Sequence, residues 1–252
     1  MISLADYDKI KQIMEESPEK KELLSRLLAS HQMDISTISH EIRNPLTLVY
    51  STLQLIESQH PEVLNFRYWS DLRNDVAYMK LLLEELSAYN NGERLKLSSI
   101  DTSTFFRTLA LSFASSLIET DIQFHSKIDS GLPPIQGDAI KLKEAFLNLL
   151  GNAHDALDSF SSVNNQIPTI RMSVTTDHNH LVITITDNGQ GISEDQLPHI
   201  FDPFVTYKKN GTGLGLAITS RIITSHKGSI QVSSIPGVHT TFLLTLPVKE
   251  NT

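Results

Sequence analysis

Apolar residues recur every seven positions from Leu28 through Ile35, Ile42, Val49 and Ile56, and Ile38, Leu46 and Leu53 widen the stripe. A seven-residue apolar repeat is the seam of a helix that packs on other helices. With Ile35 and Ile42 at heptad position a, His40 falls at f, away from the seam and toward water. Its setting is Ser-His-Glu-Ile-Arg-Asn-Pro, Ser39 to Pro45. An imidazole on the open face of a rigid helix, with Glu41 beside it and Asn44 one turn later, is placed for chemistry with another molecule. Pro45 removes a backbone donor and is expected to bend the helix just after His40.

The helix that carries this seam is predicted over about Glu19 to Gln59, after a polar, weakly helical start and a break at Ser17-Pro18. His60-Pro61 ends it. A second helix, about Asn65 to Asn90, has Trp69, Leu72, Val76, Met79, Leu83 and Leu86 in alternating steps of three and four. Two such helices with a short connection make an antiparallel hairpin. One hairpin cannot cover both seams, whereas two make a four-helix bundle, so a homodimer is expected. The competing arrangement packs the hairpin on its own chain's second domain.

Asn91-Gly92 stops the second helix, and the pattern changes. Short strands are predicted at Leu95–Ile100, Ile122–Ile128, Thr169–Thr176, His180–Thr186, Ser229–Ser234 and Thr240–Pro247. Helices are predicted at Ser103–Thr120, Ala139–Phe160 and Leu214–His226, with a loop at Pro133-Pro134 and Gly137-Asp138. The segment from Ile192 to Gly213 has little regular pattern. Helices mixed with mainly antiparallel strands define an α+β protein: a helical hairpin, then an α/β sandwich. The expected divisions are 1–23, a polar helical extension; 24–92, the hairpin domain; and 96–250, the sandwich.

The totals narrow the function. The net charge of −8 argues against broad nucleic-acid binding, which needs a basic surface. The absence of cysteine excludes disulfides, thiolate metal sites and cysteine nucleophiles, and fits a cytoplasmic protein. No apolar run reaches transmembrane length and no signal-peptide pattern opens the chain, so no membrane span is expected.

Four patterns in the second half carry chemistry. On the helix from Ala139, Leu142, Phe146, Leu149, Leu150, Ala153 and Leu157 fall on one side. Glu144, Asn148, Asn152 and Asp155 fall on the other. Aligned carboxamides and carboxylates suit Mg²⁺ and the phosphates it carries; a solvated helix face gives the same pattern. Asp187-Asn188-Gly189-Gln190-Gly191 follows an apolar strand. A carboxylate there can accept from the exocyclic amine of adenine, and Gly189 and Gly191 let backbone approach a flat ligand; an ordinary turn reads the same. Gly211-Thr212-Gly213-Leu214-Gly215 opens a helix whose N–H groups suit phosphate. It lacks the Gly-Lys-Ser/Thr of a P-loop and the spacing of a dinucleotide fingerprint. Phe201-Asp202-Pro203-Phe204, with Lys208 and Lys209 after it, is either a lid anchored by aromatics, with a lysine for phosphates, or a loop with a small apolar plug.

In order and spacing these segments resemble the sensor histidine kinases of two-component signalling. His40 to Leu46 is similar to the H box, Asn148 to Ala156 to the N box, Asp187 to Gly191 to the G1 box, Phe201 to Phe204 to the F box and Gly211 to Gly215 to the G2 box. The resemblance covers about Leu24 to Val248. The Asn-Ala-x-Asp and Asn-Gly-Thr-Gly-Leu-Gly-Leu forms look most like the nitrogen-regulatory and sporulation kinase branch.

The resemblance implies a dimerisation and phosphotransfer hairpin followed by an ATP-binding domain of the gyrase, Hsp90 and histidine kinase type. It implies His40 as phospho-acceptor, Glu41 as the base that aids its attack and Asn44 as the residue that orients water for dephosphorylating a partner. Asn148 and Asn152 would serve Mg²⁺ and phosphates, with Asp155 on the same face, and Asp187 would read adenine. Gly189, Gly191, Gly211, Thr212, Gly213, Leu214 and Gly215 would shape the pocket and lid, and Lys208 matches a basic lid position. ATP and Mg²⁺ are the implied cofactors. A response regulator receiver domain and a second copy are the implied partners, with an upstream sensor or regulatory protein in addition. Residues 1–23 are too short for a sensor module, so the chain is read as a trimmed piece or as a soluble kinase under the control of a binding protein.

Two departures stand out. His154 lies inside the N box where that branch more often has an apolar residue, and Asp155 stands where many relatives have Lys or Glu. Glu119, His125 and the remaining histidines have no motif context and are read as surface residues. The rival functions are a phosphotransfer scaffold with silenced ATP use and an ATPase clamp of the gyrase or Hsp90 type, which would hydrolyse ATP without labelling itself.

Overall fold

The computed structural model describes residues 13, 17–91, 95–158, 167–208 and 211–248, with the side chains of 18, 25, 27–36, 40, 90, 91 and 158 excepted. The expected 1–23 extension lies mostly outside these residues, as does the His40 side chain. The chain divides into two compact units, Met1–Asn91 and Gly92–Thr252.

The first unit is a helical hairpin. Helix α1 spans Pro18–Gln59; the Ser17 hydroxyl accepts from the Lys20 N–H at 3.2 Å, and Pro18 occupies the first turn, where its missing N–H costs nothing. The helix continues through Pro45, which deprives the Glu41 carbonyl of its helical donor. Pro61 then starts a single 3₁₀ turn, Pro61–Asn65. The second helix, α2, spans Trp69–Asn91, so it begins with the first residue of its apolar series and later than the expected Asn65. The 3₁₀ turn consumes the intervening residues, and Tyr68 reverses the chain with a left-handed φ of 69°.

Side chains tie the two helices together. The Trp69 indole donates to Glu57 at 2.9 Å, and Arg73 lies 3.7 Å from the same carboxylate. The Arg43 guanidinium donates to the Ser87 hydroxyl and to the Leu83 carbonyl. Leu53 and Val76 are buried between the helices. The seam itself is open: Ile38, Ile42 and Val49 on α1 are 54%, 48% and 47% exposed, and Leu72 and Met79 on α2 are 47% and 45% exposed. A row of half-exposed aliphatics on both helices is an unfinished core.

The second unit is a two-layer sandwich. Its elements are β1 (Ser98–Ile100), α3 (Thr102–Ser116), β2 (Gln123–Ile128), β3 (Ile135–Gly137), α4 (Ala139–Asp158), β4 (Thr169–Asp177), β5 (His180–Asp187), α5 (Gly215–Ser225), β6 (Ser229–Ile235) and β7 (His239–Pro247). Five strands form one sheet in the order β2-β4-β5-β7-β6, with β2 parallel to β4 and the other pairs antiparallel. The segment around Pro133-Pro134, expected as loop only, contains β3, which pairs with β1 in a separate two-stranded sheet.

Strand alternation selects the face that carries the helices. Leu181, Ile183 and Ile185 of β5 and Phe242, Leu244 and Leu246 of β7 are buried, while Thr184, Thr186, Thr241 and Thr245 point the other way. Helix α4 brings Leu142, Phe146, Leu149 and Leu150 to this layer, all fully buried, and Phe146 meets Phe106 of α3 edge-on at 5.0 Å. Truncating such a phenylalanine costs about 3–5 kcal/mol.

One histidine contradicts the surface reading. His226 is only 5% exposed; its Nε2 accepts from the Asp138 N–H at 2.9 Å, and its Nδ1 is 2.7 Å from the Ile222 carbonyl. Asp138 in turn caps α4, accepting from the N–H groups of Ile140 and Lys141, each at 3.1 Å. The histidine therefore joins the end of α5 to the start of α4.

Candidate nucleotide-binding site

Apolar periodicity fixes which face of α4 is buried, and therefore which face is left for ligands. Asn148, Asn152 and Asp155 emerge on that free face, four and three residues apart. Three parts of the connection between β5 and α5 meet α4 along it. The G2 segment meets it at Asn148, the lid at Asn152 and Asp155, and the G1 segment at Ala156.

At the first meeting, α5 begins so close to α4 that position 215 has no room for a side chain: a Cβ on Gly215 would lie 2.6 Å from Asn148 Nδ2. The Asn148 amide donates to the Thr219 hydroxyl, which is fully buried, at 3.1 Å, and accepts from the Asn152 amide at a longer 3.4 Å. Thr219 was not singled out from sequence. Its signal was a hydroxyl on the apolar face of α5, four residues after Gly215. Leu214 is fully buried, so its side chain serves the core and only its backbone faces the loop. The Thr212 hydroxyl accepts from the Leu214 N–H at 3.4 Å.

At the second meeting, the Lys208 ammonium donates to Asn152 Oδ1 at 2.7 Å and to Asp155 Oδ2 at 2.6 Å. The lid closes on itself below this point. Phe204 N–H donates to the Gly213 carbonyl at 2.9 Å, and both residues take left-handed backbone, with φ of 65° and 72°. A Cβ on Gly213 would strike the Phe204 backbone, so this pinch needs glycine there. Of the two F-box aromatics, Phe201 is the anchor, edge-on to Phe242 of β7 at 6.4 Å; Phe204 is 44% exposed and shapes the turn instead. Gly211 packs against Thr206 and Lys208 of the same lid.

At the third meeting, Gly189 lies against the Ala156 carbonyl, where a Cβ would come within 2.6 Å, and the Gln190 N–H donates to that carbonyl at 3.3 Å. Gly191, with φ of 69°, turns the loop onto the β6–β7 hairpin, where the Gly237 N–H donates to the Gln190 carbonyl at 2.7 Å. Asp187 ends β5 just before this loop and is 3% exposed. Its carboxylate accepts from the Gly189 N–H at 2.9 Å. Burial pushes its pKa up to about 6, against the pull of the Gly189 N–H and of His239.

Glu144 does not join this set. It pairs with Lys141 of its own helix at 2.8 Å. On the hairpin, Glu41 and Asn44 are exposed on α1 close to His40 in sequence.

A buried carboxylate at a strand end, a carboxamide ladder on one helix and a glycine-pinched lid define an ATP-binding domain of a particular superfamily. Residues 137–250 match the family described as histidine kinase-, DNA gyrase B-, and HSP90-like ATPase. Within it the chain belongs to the histidine kinases and carries a sensor histidine kinase catalytic core. The signal transduction histidine-protein kinase AtoS of Escherichia coli is 31% identical over 211 residues, covering 84% of this chain and 34% of AtoS. The sensory histidine kinase/phosphatase NtrB of Azospirillum brasilense is 31% identical over 225 residues, covering 84% of this chain and 54% of NtrB. The chain therefore spans about a third of the length of AtoS and about half that of NtrB. The crystal structure of full-length ShkA in complex with AMPPNP shares the fold, with a TM-score of 0.69 at 24% identity, over 86% of this chain and 46% of ShkA. Among the described residues, no helix is long and apolar enough to cross a membrane.

Proposed function

We propose that this chain is an ATP-dependent autokinase that phosphorylates His40 and passes the phosphoryl group to an aspartate of a response regulator receiver domain. The observation that carries the reading is that the connection between β5 and α5 meets one face of α4 at three places. Convergence there puts Asn148, Asn152 and Lys208 along one face of α4, with Asp187 just before the loop that meets the helix at Ala156. Asp187, ionised near neutral pH, accepts from the exocyclic amine of adenine. Gly189 and Gly191 let the backbone lie flat beside the base. The lid and the start of α5 take the phosphates.

The donor set fits Mg²⁺. Asn152 Oδ1 already faces a cation, the Lys208 ammonium at 2.7 Å, and Asn148 stands one turn earlier. Asn148 and Asn152 would hold the metal, which supplies charge neutralisation across the phosphates. Lys208 adds a positive charge at the same end of the nucleotide.

On the hairpin, the neutral His40 imidazole is the nucleophile, and Glu41 takes or orients its ring proton as the phosphoryl group arrives. The phosphoramidate that results is an activated donor toward a carboxylate. Asn44, one turn from His40, orients the water for the reverse task, dephosphorylation of the partner. The open seam through Ile38, Ile42, Val49, Leu72 and Met79 supports a homodimer in which two hairpins close a four-helix bundle. An upstream sensor or regulatory protein, and a cytoplasmic setting, complete the reading.

The decisive experiment is incubation with γ-labelled ATP and Mg²⁺ beside His40→Gln. The expected product is protein-bound label that is acid-labile, alkali-stable and absent from the variant. ATP hydrolysis without label would instead identify a clamp-type ATPase, and failure to bind ATP would identify a phosphotransfer scaffold.

A further inference from the structure

Lys208 is where the lid touches α4, and the contact is made to an oxygen with another use. Its ammonium is shared between Asn152 Oδ1 at 2.7 Å and Asp155 Oδ2 at 2.6 Å. The backbone beneath it is fixed locally: the Lys208 N–H donates to the Thr206 hydroxyl at 3.2 Å, and the Lys208 carbonyl accepts from the Gly211 N–H at 3.3 Å. Among the described residues of the lid, Lys208 extends its side chain onto the helix. Asn152 Oδ1 is the atom assigned above to the metal. An ammonium and a divalent cation compete for one amide oxygen, because the like charges repel strongly at that separation. Neutral Asn152 alone is a weak holder for a lysine. The carboxylate three residues on, where another residue type would leave the ammonium free to swing, supplies the opposite charge. His154 Nδ1 lies 3.8 Å from the other Asp155 oxygen.

We propose that Asp155 and Lys208 form a latch that holds the lid's ammonium on Asn152, in direct competition with the magnesium of an incoming nucleotide. The latch rests on the nucleotide-binding reading above and deepens it. Asp155 acts on the nucleotide through Lys208 rather than by touching it, and the pair sets how much Mg²⁺ is needed before the lid releases α4. Loading of Mg²⁺ and freeing of the lid lysine are then one event: the ammonium leaves Asn152 as the metal arrives and becomes available to the phosphates.

The latch makes a prediction opposite in sign to the simpler roles for Asp155. If Asp155 were a metal ligand, or only a negative charge that attracts the metal, Asp155→Asn would raise the Mg²⁺ concentration needed for ADP binding. If it holds the competing ammonium, the same change lowers it. The test titrates Mg²⁺ at fixed ADP by calorimetry on the full chain, with wild type and Asp155→Asn. The expected result is a midpoint in Mg²⁺ that falls roughly two- to fivefold in Asp155→Asn, the scale of a partly exposed charge pair. A midpoint that rises or stays put in Asp155→Asn overturns the latch. A second measurement needs no nucleotide. The latch shields Lys208 from trypsin, so cleavage after Lys208, followed by mass spectrometry, is expected to run roughly two- to fivefold faster in Asp155→Asn. An unchanged rate also overturns the proposal. Absence of ADP binding by the wild-type chain would overturn the nucleotide reading instead, while the trypsin comparison still decides the latch. The Asp155 side chain is 52% exposed, so its replacement leaves the fold intact.

Discussion

Asn148 fills the space that a side chain at position 215 would need. The Asn148 amide nitrogen and oxygen would lie 2.6 and 2.7 Å from a Cβ on Gly215, and the amide is tied to the buried Thr219 hydroxyl on the same helix, α5. The first residue of α5 and the first carboxamide of α4 are therefore fitted to each other, and Thr219 fixes the amide so that it cannot swing aside.

Gly215→Ala is accordingly expected to damage the site rather than the fold. The methyl group must displace the Asn148 amide and break its bond to Thr219. Autophosphorylation should fall roughly tenfold to a hundredfold, the cost of misplacing a group by about an ångström. The thermal midpoint should move by only a few degrees. Calorimetric binding of Mg²⁺·ADP and a melting curve check both halves. A large loss of stability with unchanged binding would show that the contact is structural.

Asp187 should make nucleotide binding depend on pH. Burial raises its pKa to about 6, so the carboxylate is largely ionised at pH 7 and protonated below pH 6. Only the carboxylate offers acceptors alone to an adenine amine. Affinity for ADP should be flat above about pH 7 and fall by up to about tenfold per unit below pH 6. Asp187→Asn should bind weakly at every pH, without that inflection. Calorimetry from pH 5 to pH 8 decides it; an identical inflection in the variant would assign the titration to another group.

Some of this was legible in the sequence, for physical reasons. The 3.6-residue period of α4 sorted Leu142, Phe146 and Leu149 from Asn148, Asn152 and Asp155 without tertiary information. The same period placed Glu144 with the ligand face, because periodicity reports direction and not partners; Lys141, one turn earlier, captures that carboxylate. Strand β3 was hidden behind Pro133-Pro134, and its pairing with Ser98–Ile100 spans a separation no local pattern reports. The parallel pairing of β2 and β4 is non-local in the same way. The Lys208–Asp155 contact was beyond reach because it joins residues 53 apart through a loop. Histidines without a motif were read as surface groups, which failed at His226: its burial follows from how α5 packs on α4, not from its neighbours in sequence.

The open hairpin seam predicts the assembly. Ile42 and Val49 are each about half exposed, and a lysine at such a position puts a charge into a bundle core. Val49→Lys is expected to convert a dimer to a monomer in light scattering after size exclusion. It should leave ADP binding by the second unit unchanged. A monomeric wild-type chain would remove the bundle from the proposed function.

His226 predicts a stability transition in mild acid. Its two ring nitrogens have fixed and opposite tasks: Nδ1 donates to the Ile222 carbonyl and Nε2 accepts from the Asp138 N–H. Only the neutral ring can do both. Burial lowers its pKa below the ordinary 6.5, and the Ile222 carbonyl and the Asp138 carboxylate, which faces it across the contact, oppose this in part. In the unfolded chain the same ring takes up a proton near pH 6.5. The unfolded state then binds more protons than the folded one, so the stabilising contribution is complete above pH 6.5. It is lost as pH falls from there toward the lowered folded value. Asp187 works the other way, since its raised pKa lets the folded chain bind a proton first, but it is common to both proteins in the comparison that follows. His226→Gln keeps an acceptor for the Asp138 N–H and a donor for Ile222 while removing the titration. The thermal midpoint of wild type relative to this variant should therefore drop by a few degrees between pH 7 and pH 5. Parallel curves across that range would show that the ring is protonated in the fold at no cost.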